Sequence, residues 1–176
     1  MHAGVGRRQD VFALNYQPIG LLRTPFKNIA EMPIQPAGAR GTVGSIELRT
    51  DLVEGLRDLD GFSHIIVLYH FHRTANIALT VTPFLDAQPH GLFATRAPSR
   101  PNPLGLSVLR LLKIDGATLE VEGVDMLDET PVIDIKPYVP IFDHPSGQIK
   151  TGWLENTATQ AYEARSDERF KPEGQD

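Results

Sequence analysis

The chain has 176 residues, 41% of them apolar, and a formal net charge of −5. That length suits one domain around a single core, and the acidic balance argues against a broad, non-specific grip on nucleic acid, DNA included. The lack of cysteine excludes disulfides, thiolate nucleophiles and zinc–sulfur sites, while the longest apolar run, Ile65–Phe71, is too short to span a bilayer. Residues 1–17 carry Arg7, Arg8 and Asp10 without a long apolar centre, so they read as a flexible lead-in rather than a signal peptide, and the cytoplasm is the default compartment.

Pro18 to Thr24 reads as a first strand, stopped by Pro25. Asn28 to Arg40 holds Pro33, Pro36 and Gly38 and is a long loop, of a length that is usually functional or disordered. Its Gly38-x-x-Gly41-x-x-Gly44 spacing lacks the strand-to-helix context of a dinucleotide fingerprint, so a Rossmann domain is rejected. Thr42 to Leu48 is a second strand. A short helix from Asp51 to Leu59 follows, with Asp51 and Glu54 in a capping-box pattern and Asp60-Gly61 as its breaker.

Ser63 to His72 is the strongest strand, β-branched and aromatic. Period-two alternation places His64, Ile66, Leu68, His70 and His72 on one face, with Ile65, Val67, Tyr69 and Phe71 on the other. Ile77 to Val81 is a further strand, Asp86 to Gly91 a turn, and Leu92 to Thr95 a strand-like entry into Arg96-Ala97-Pro98-Ser99-Arg100-Pro101-Asn102-Pro103. Leu104 to Ile114 and Ala117 to Val124 flank Asp115-Gly116, a favoured hairpin pair. Pro131 to Val139 returns as the last strand, and residues 144–176 form a charged, weakly helical tail that packs over the core, serves as a dimerisation arm or frays. Many short strands with frequent Gly and Pro punctuation indicate a mainly β protein, an antiparallel barrel or sandwich with short helices and long loops, over residues 18–143.

Four constellations stand out. Arg96 and Arg100 lie on a loop stiffened by three prolines, which suits anion or nucleotide recognition by guanidinium groups already aimed. His64, His70 and His72 share a strand face, yet Arg73 follows where a metal site would want an acid; no metal site is expected, and His72 at the strand end is the ligand contact. Asp125-Met126-Leu127-Asp128-Glu129-Thr130-Pro131 brings three acids to a strand end and turn. Asp134, Lys136 and Tyr138 share a strand face, where an internal salt bridge is slightly favoured over a proton-handling site.

FATRAPSRPNPLGLS and GVDMLDETPVIDIKPYVP, with IGLLRTPF, MPIQPAG and DLDGFSHIIVLYHFHR before them in the same order, resemble the TsaA/TrmO-like family (YaeB-like proteins) from about Ile19 to Phe142. The resemblance implies a β-barrel methyltransferase, unlike the Rossmann type, that uses S-adenosyl-L-methionine (SAM). The activity it implies is N6-methylation of the threonylcarbamoyl-adenosine at position 37 of tRNA, on the anticodon stem-loop. It implies a homodimer too. SAM contacts are carried over to Pro36, Ala37, Gly38, His72, Arg73, Arg96, Leu106, Asp125, Met126, Leu127 and Asp128. On that reading Asp128, Asp134 or His72 accepts the proton of the acceptor nitrogen, and Arg100, Asn102, Lys136 and Tyr138 hold the substrate. Longer family members carry an extra C-terminal domain after the barrel. The alternatives are a SAM-binding sensor without catalysis, or a SAM-dependent methyltransferase acting on a small molecule or a protein.

Overall fold

The computed structural model describes residues 14–30, 32–74 and 76–170. All but the last four residues of the expected lead-in lie outside that range. Six strands close an antiparallel barrel: β1 (Gly20–Arg23), β2 (Val43–Leu48), β3 (His64–His70), β6 (Leu104–Asp115), β7 (Thr118–Glu122) and β8 (Thr130–Pro137), in the order β1-β2-β7-β6-β3-β8. Two short strands, β4 (Thr80–Val81) and β5 (His90–Gly91), pair outside it.

Alternation decides the interior. In β3, Ile65, Val67 and Tyr69 are buried while their neighbours are half-exposed, and in β6 Gly105, Ser107 and Leu109 take the inner positions opposite them. Leu22, Ile46, Leu119, Val121 and Val132 complete the core, each with no exposure to solvent. Closure pairs every barrel strand on both sides, so no barrel edge is left to recruit another chain. The register slips once between β3 and β8, where Leu68 faces Asp134 but Tyr69 faces Val132, so Ile133 is the extra residue of a bulge. The slip returns Ile135 to the core side and turns Asp134 outward beside Lys136.

Several expected elements shift. The β6–β7 hairpin loop is Gly116-Ala117 rather than Asp115-Gly116, because Asp115 still pairs with Thr118 and Gly116 takes φ +58°. The helix expected from Asp51 to Leu59 is two 3₁₀ turns, Thr50–Leu56 and Leu59–Gly61, without a side-chain cap. Asp51 instead receives the Arg49 guanidinium at 2.7 Å. The strand-like entry at Leu92 is also a 3₁₀ turn, Leu92–Ala94, since Leu92 is pulled into a small satellite core with Val81 and Ala97. Of Ile77 to Val81 only Thr80 and Val81 pair.

The tail packs against the loops outside the barrel, with Phe170 on the satellite core. Trp153 stacks on His90 at 4.6 Å and donates its indole N–H to the carbonyl oxygen of Ala94. Arg165 bridges to Pro33, the amide of Ser166 donates to the carbonyl of Met32, and Phe170 meets Phe84 edge-on at 5.3 Å. Arg169 lies over the Phe84 ring and donates to the carbonyl of Pro83 at 2.8 Å.

Candidate functional site

Where β3 ends and β6 begins, the proline-rich loop, the loop before β2 and the tail enclose a cavity of about 380 Å³. Its volume lies in the range of small-molecule sites. Phe71, Phe84, Leu104, Leu106 and Phe170 give it apolar walls, and Arg96, His72 and Asp125 bring polar groups to it.

Asp125 is held by its neighbours in sequence. Thr24 donates its hydroxyl to the Met126 carbonyl at 2.9 Å, and the amides of Asp128 and Glu129 donate to the carbonyls of Phe26 and Leu22, so the strand-to-turn segment is stitched to the end of β1. Met126 plugs the core at 2% exposure, which leaves Asp125 almost enclosed at 8%. Burial pushes its carboxyl up to about 7, against the opposing pull of the Ser107 hydroxyl and the Arg96 charge.

Ser107 Oγ donates to Asp125 Oδ1 at 2.8 Å, and Tyr69 Oη lies 3.3 Å from Ser107 Oγ. The ring of Tyr69 reaches that position by lying across Gly105, its cross-strand partner. A Cβ at residue 105 would stand 2.2 Å from the ring. Only glycine leaves the ring this room. Burial raises the phenol well above its ordinary range, so Tyr69 is a neutral hydroxyl.

On the opposite wall Arg96 donates to Gln35 Oε1 at 2.9 Å, tying the proline-rich loop to the loop before β2. His72 sits in the turn after β3 with Nδ1 3.4 Å from Thr130 Oγ1. Thr130 gives its single hydroxyl proton to the Leu127 carbonyl at 2.7 Å, so His72 Nδ1 is the donor and Nε2 is left as an acceptor in the neutral ring. Burial, then Arg73 and His70, lower the imidazole below its usual range and keep it neutral at pH 7.

Among the residues expected to contact SAM, the cavity gathers His72, Arg73, Arg96, Leu106, Asp125, Met126 and Leu127. Pro36, Ala37 and Gly38 form a 3₁₀ turn packed against the tail, where a Cβ on Gly38 would meet the Ala161 carbonyl at 2.8 Å. Their predecessors Pro33, Ile34 and Gln35 line the cavity instead. Asp128 faces the barrel rim, ion-paired with Lys27 and accepting from the Thr24 amide, and Lys27 holds its carboxyl below the usual range.

The substrate residues also divide. Arg100 reaches the cavity wall, but its guanidinium donates to the carbonyls of Leu92, Thr95 and Ala97, so it braces its own loop. Asn102, Lys136 and Tyr138 lie outside the lining; Lys136 pairs with Asp134, and Tyr138 stands edge-on to His64. Sequence reasoning left out Tyr69, Ser107, Gln35, Thr130, Phe84 and Phe170. Tyr69 alternates with the core face and passes for packing, while Gln35 and the two phenylalanines reach the site only through long-range contacts. His64, His70 and His72 do not converge with acids, and no group of three His, Asp or Glu side chains comes together among the described residues.

A family model described as the tRNA-methyltransferase O N-terminal domain matches residues 21–144. A probable S-adenosyl-L-methionine-binding protein of Pyrococcus abyssi is 47% identical over 155 residues, 88% of this chain and 84% of that one. A mouse tRNA (adenine(37)-N6)-methyltransferase is 35% identical over 136 residues, 73% of this chain but 32% of the mouse protein. The crystal structure of TrmO from Pseudomonas aeruginosa superposes with a TM-score of 0.66 at 37% identity, covering 81% of this chain and 63% of that one. The chain therefore spans less than two thirds of the solved structure and about a third of the mouse enzyme.

Proposed function

The chain belongs to the family of the tRNA-methyltransferase O N-terminal domain, and on that premise we propose that it is a SAM-dependent methyltransferase acting on N6 of threonylcarbamoyl-adenosine at tRNA position 37. The observation that supports this most directly is the cavity, which sets an enclosed carboxylate, a guanidinium and apolar walls around a space of about 380 Å³. SAM presents an apolar adenine, ribose hydroxyls, an amino-acid end and a cationic sulfur, and this donor set fits it. When bound, SAM supplies the transferable methyl group. The protein supplies enclosure and placement, which hold reacting atoms together and exclude water.

Within the cavity His72 Nε2 and Asp125 are the groups able to take a proton, since Asp128 is tied to Lys27 and Asp134 points outward beside Lys136. Ile141 and Phe142, 83% and 80% exposed just beyond β8, support a homodimer as part of the same proposal. Action on tRNA implies the cytoplasm.

The Pyrococcus relative, close to this chain in length, is named for SAM binding alone, and this favours a second reading, a SAM-binding sensor. One experiment separates them. The protein is incubated with methyl-labelled SAM and bulk tRNA from a host lacking its own enzyme of this family, and the digested nucleosides are weighed. Label on threonylcarbamoyl-adenosine is the expected result. Absence of label in tRNA known to contain that nucleoside, with SAM bound, would overturn the tRNA reading in favour of the sensor or of a methyltransferase with another acceptor.

A further inference from the structure

Three enclosed side chains from three separate segments meet at the cavity: Tyr69 of β3 and Asp125 of the β7–β8 connection in its wall, with Ser107 of β6 hydrogen-bonded between them. A methyltransferase pocket does not need such a chain merely to be apolar. Tyr69, Ser107 and Asp125 are 5%, 2% and 8% exposed, so water is nearly absent from their company. Each hydroxyl both donates and accepts, so the row can run in either direction. With an ionised Asp125, Ser107 donates to the carboxylate and Tyr69 donates to Ser107. With a protonated Asp125 the acid can donate to Ser107 and the hydroxyl hydrogens turn the other way. Both protonation states therefore find a hydrogen-bonded arrangement, which an isolated buried carboxylate lacks.

Resting on the proposed SAM site, we infer that Asp125 is a proton-linked sensor of ligand charge: it gives up its proton when the cationic sulfur of SAM enters, and keeps it when a neutral thioether analogue enters. Tyr69 and Ser107 are its positioning residues. The charged and titratable groups around it are Tyr69 from β3, His72 and Arg73 from the turn after β3, and Arg96 and Arg100 from the proline-rich loop. The tail contributes Ser166 and Phe170 to the cavity and no charge. His72 is held neutral, Arg100 is spent on backbone carbonyls, and Arg96 is shared with Gln35. The carboxyl of Asp125, which burial pushes up to about 7, is thus poised where a single added positive charge decides its state. The site would in this way prefer SAM to the sulfide that remains after methyl transfer, and the preference would fade in acid.

The test is calorimetric binding of SAM and of S-adenosylhomocysteine between pH 6 and 8, in buffers of different ionisation enthalpy, to wild type and to Asp125→Asn. For SAM, wild type should release about half a proton more than Asp125→Asn at pH 7, with nearly one more at pH 6 and almost none at pH 8. Its SAM affinity should fall about tenfold per pH unit below 7. S-adenosylhomocysteine carries the same amino-acid end and should show no such difference. Ser107→Ala removes a donor to the carboxylate, so the midpoint of the SAM profile should move to higher pH, with Tyr69→Phe moving it less; a merely structural role would lower affinity at every pH alike. Equal proton release with both ligands, or a midpoint untouched by Ser107→Ala, overturns the inference. Failure of SAM to bind at any pH overturns the proposed function and the inference with it.

Discussion

Asp125 and Asp128 are three residues apart on one turn, and the fold gives them opposite electrostatic lives. Asp125 faces the cavity, nearly without solvent, with the Ser107 hydroxyl as its direct side-chain partner; its carboxyl rises to about 7. Asp128 faces the rim with the Lys27 ammonium against it, and its carboxyl falls. The chemistry of the two side chains is identical. Which way the turn between β7 and β8 aims each of them decides whether a carboxylate stores a proton or anchors a loop. The stitching that aims them, Thr24 donating to the Met126 carbonyl and the Asp128 and Glu129 amides donating to the Phe26 and Leu22 carbonyls, involves β1 and its exit loop, about a hundred residues earlier.

The strongest way to break the contrast is to remove the room that Tyr69 occupies. Gly105→Ala places a methyl group 2.2 Å from the ring, which must swing away from Ser107. Overpacking of this kind destabilises by about 1–3 kcal/mol, and urea unfolding should show it together with a loss of SAM binding. Unchanged stability and affinity would mean that the ring does not depend on the glycine.

Asp125→Asn sharpens the contrast through pH. A carboxyl raised on folding holds its proton in the folded state while the unfolded chain has already lost it, so stability falls as pH rises from about 4 to 7. Above 7 the enclosed charge is a net penalty. The amide removes it, so the ligand-free variant should be more stable than wild type at pH 8, by as much as about 4 kcal/mol from a three-unit shift, and no more stable at pH 4. Thermal unfolding at the two pH values measures this directly. A variant destabilised equally at both would show that the carboxylate is not strained by burial.

Lys27→Met probes the other member and should do least. Lys27 is largely exposed, so its pair with Asp128 is worth less than about 1 kcal/mol. With a lowered carboxyl the sign reverses: the contribution is present above about pH 4 and disappears as pH falls through the folded value. A loss at pH 7 that persists at pH 2 would assign Lys27 a packing role instead.

Much of this molecule was legible from the chain. Alternation in β3 grouped Ile65, Val67 and Tyr69 on one face, which the structure makes the inner one, because a strand turns every second side chain to the same side. The many short strands and frequent Gly and Pro turns indicated an antiparallel barrel or sandwich, the family resemblance pointed to the barrel, and the two odd motifs held the loop and the acidic turn that border the cavity. Pairing distance was less legible. Hairpin position slipped by one residue, and the bulge at Ile133 turned Asp134 out of contention, since strand register depends on both partners. The tail's charged sequence did not announce that Ser166 and Phe170 would wall the cavity, because those contacts join segments more than eighty residues apart.

By itself the sequence determined a mainly β fold of short strands, because period-two alternation, proline and glycine act locally on the backbone, and its two long motifs carried the family resemblance and the residue types that border the cavity. Only the tertiary structure decided which of the acids is enclosed, which arginine ties two loops together at the cavity and which braces its own loop, and that Tyr69 is a polar partner as well as a core ring. Burial and distance set charge states, and neither is a property of any short stretch of chain.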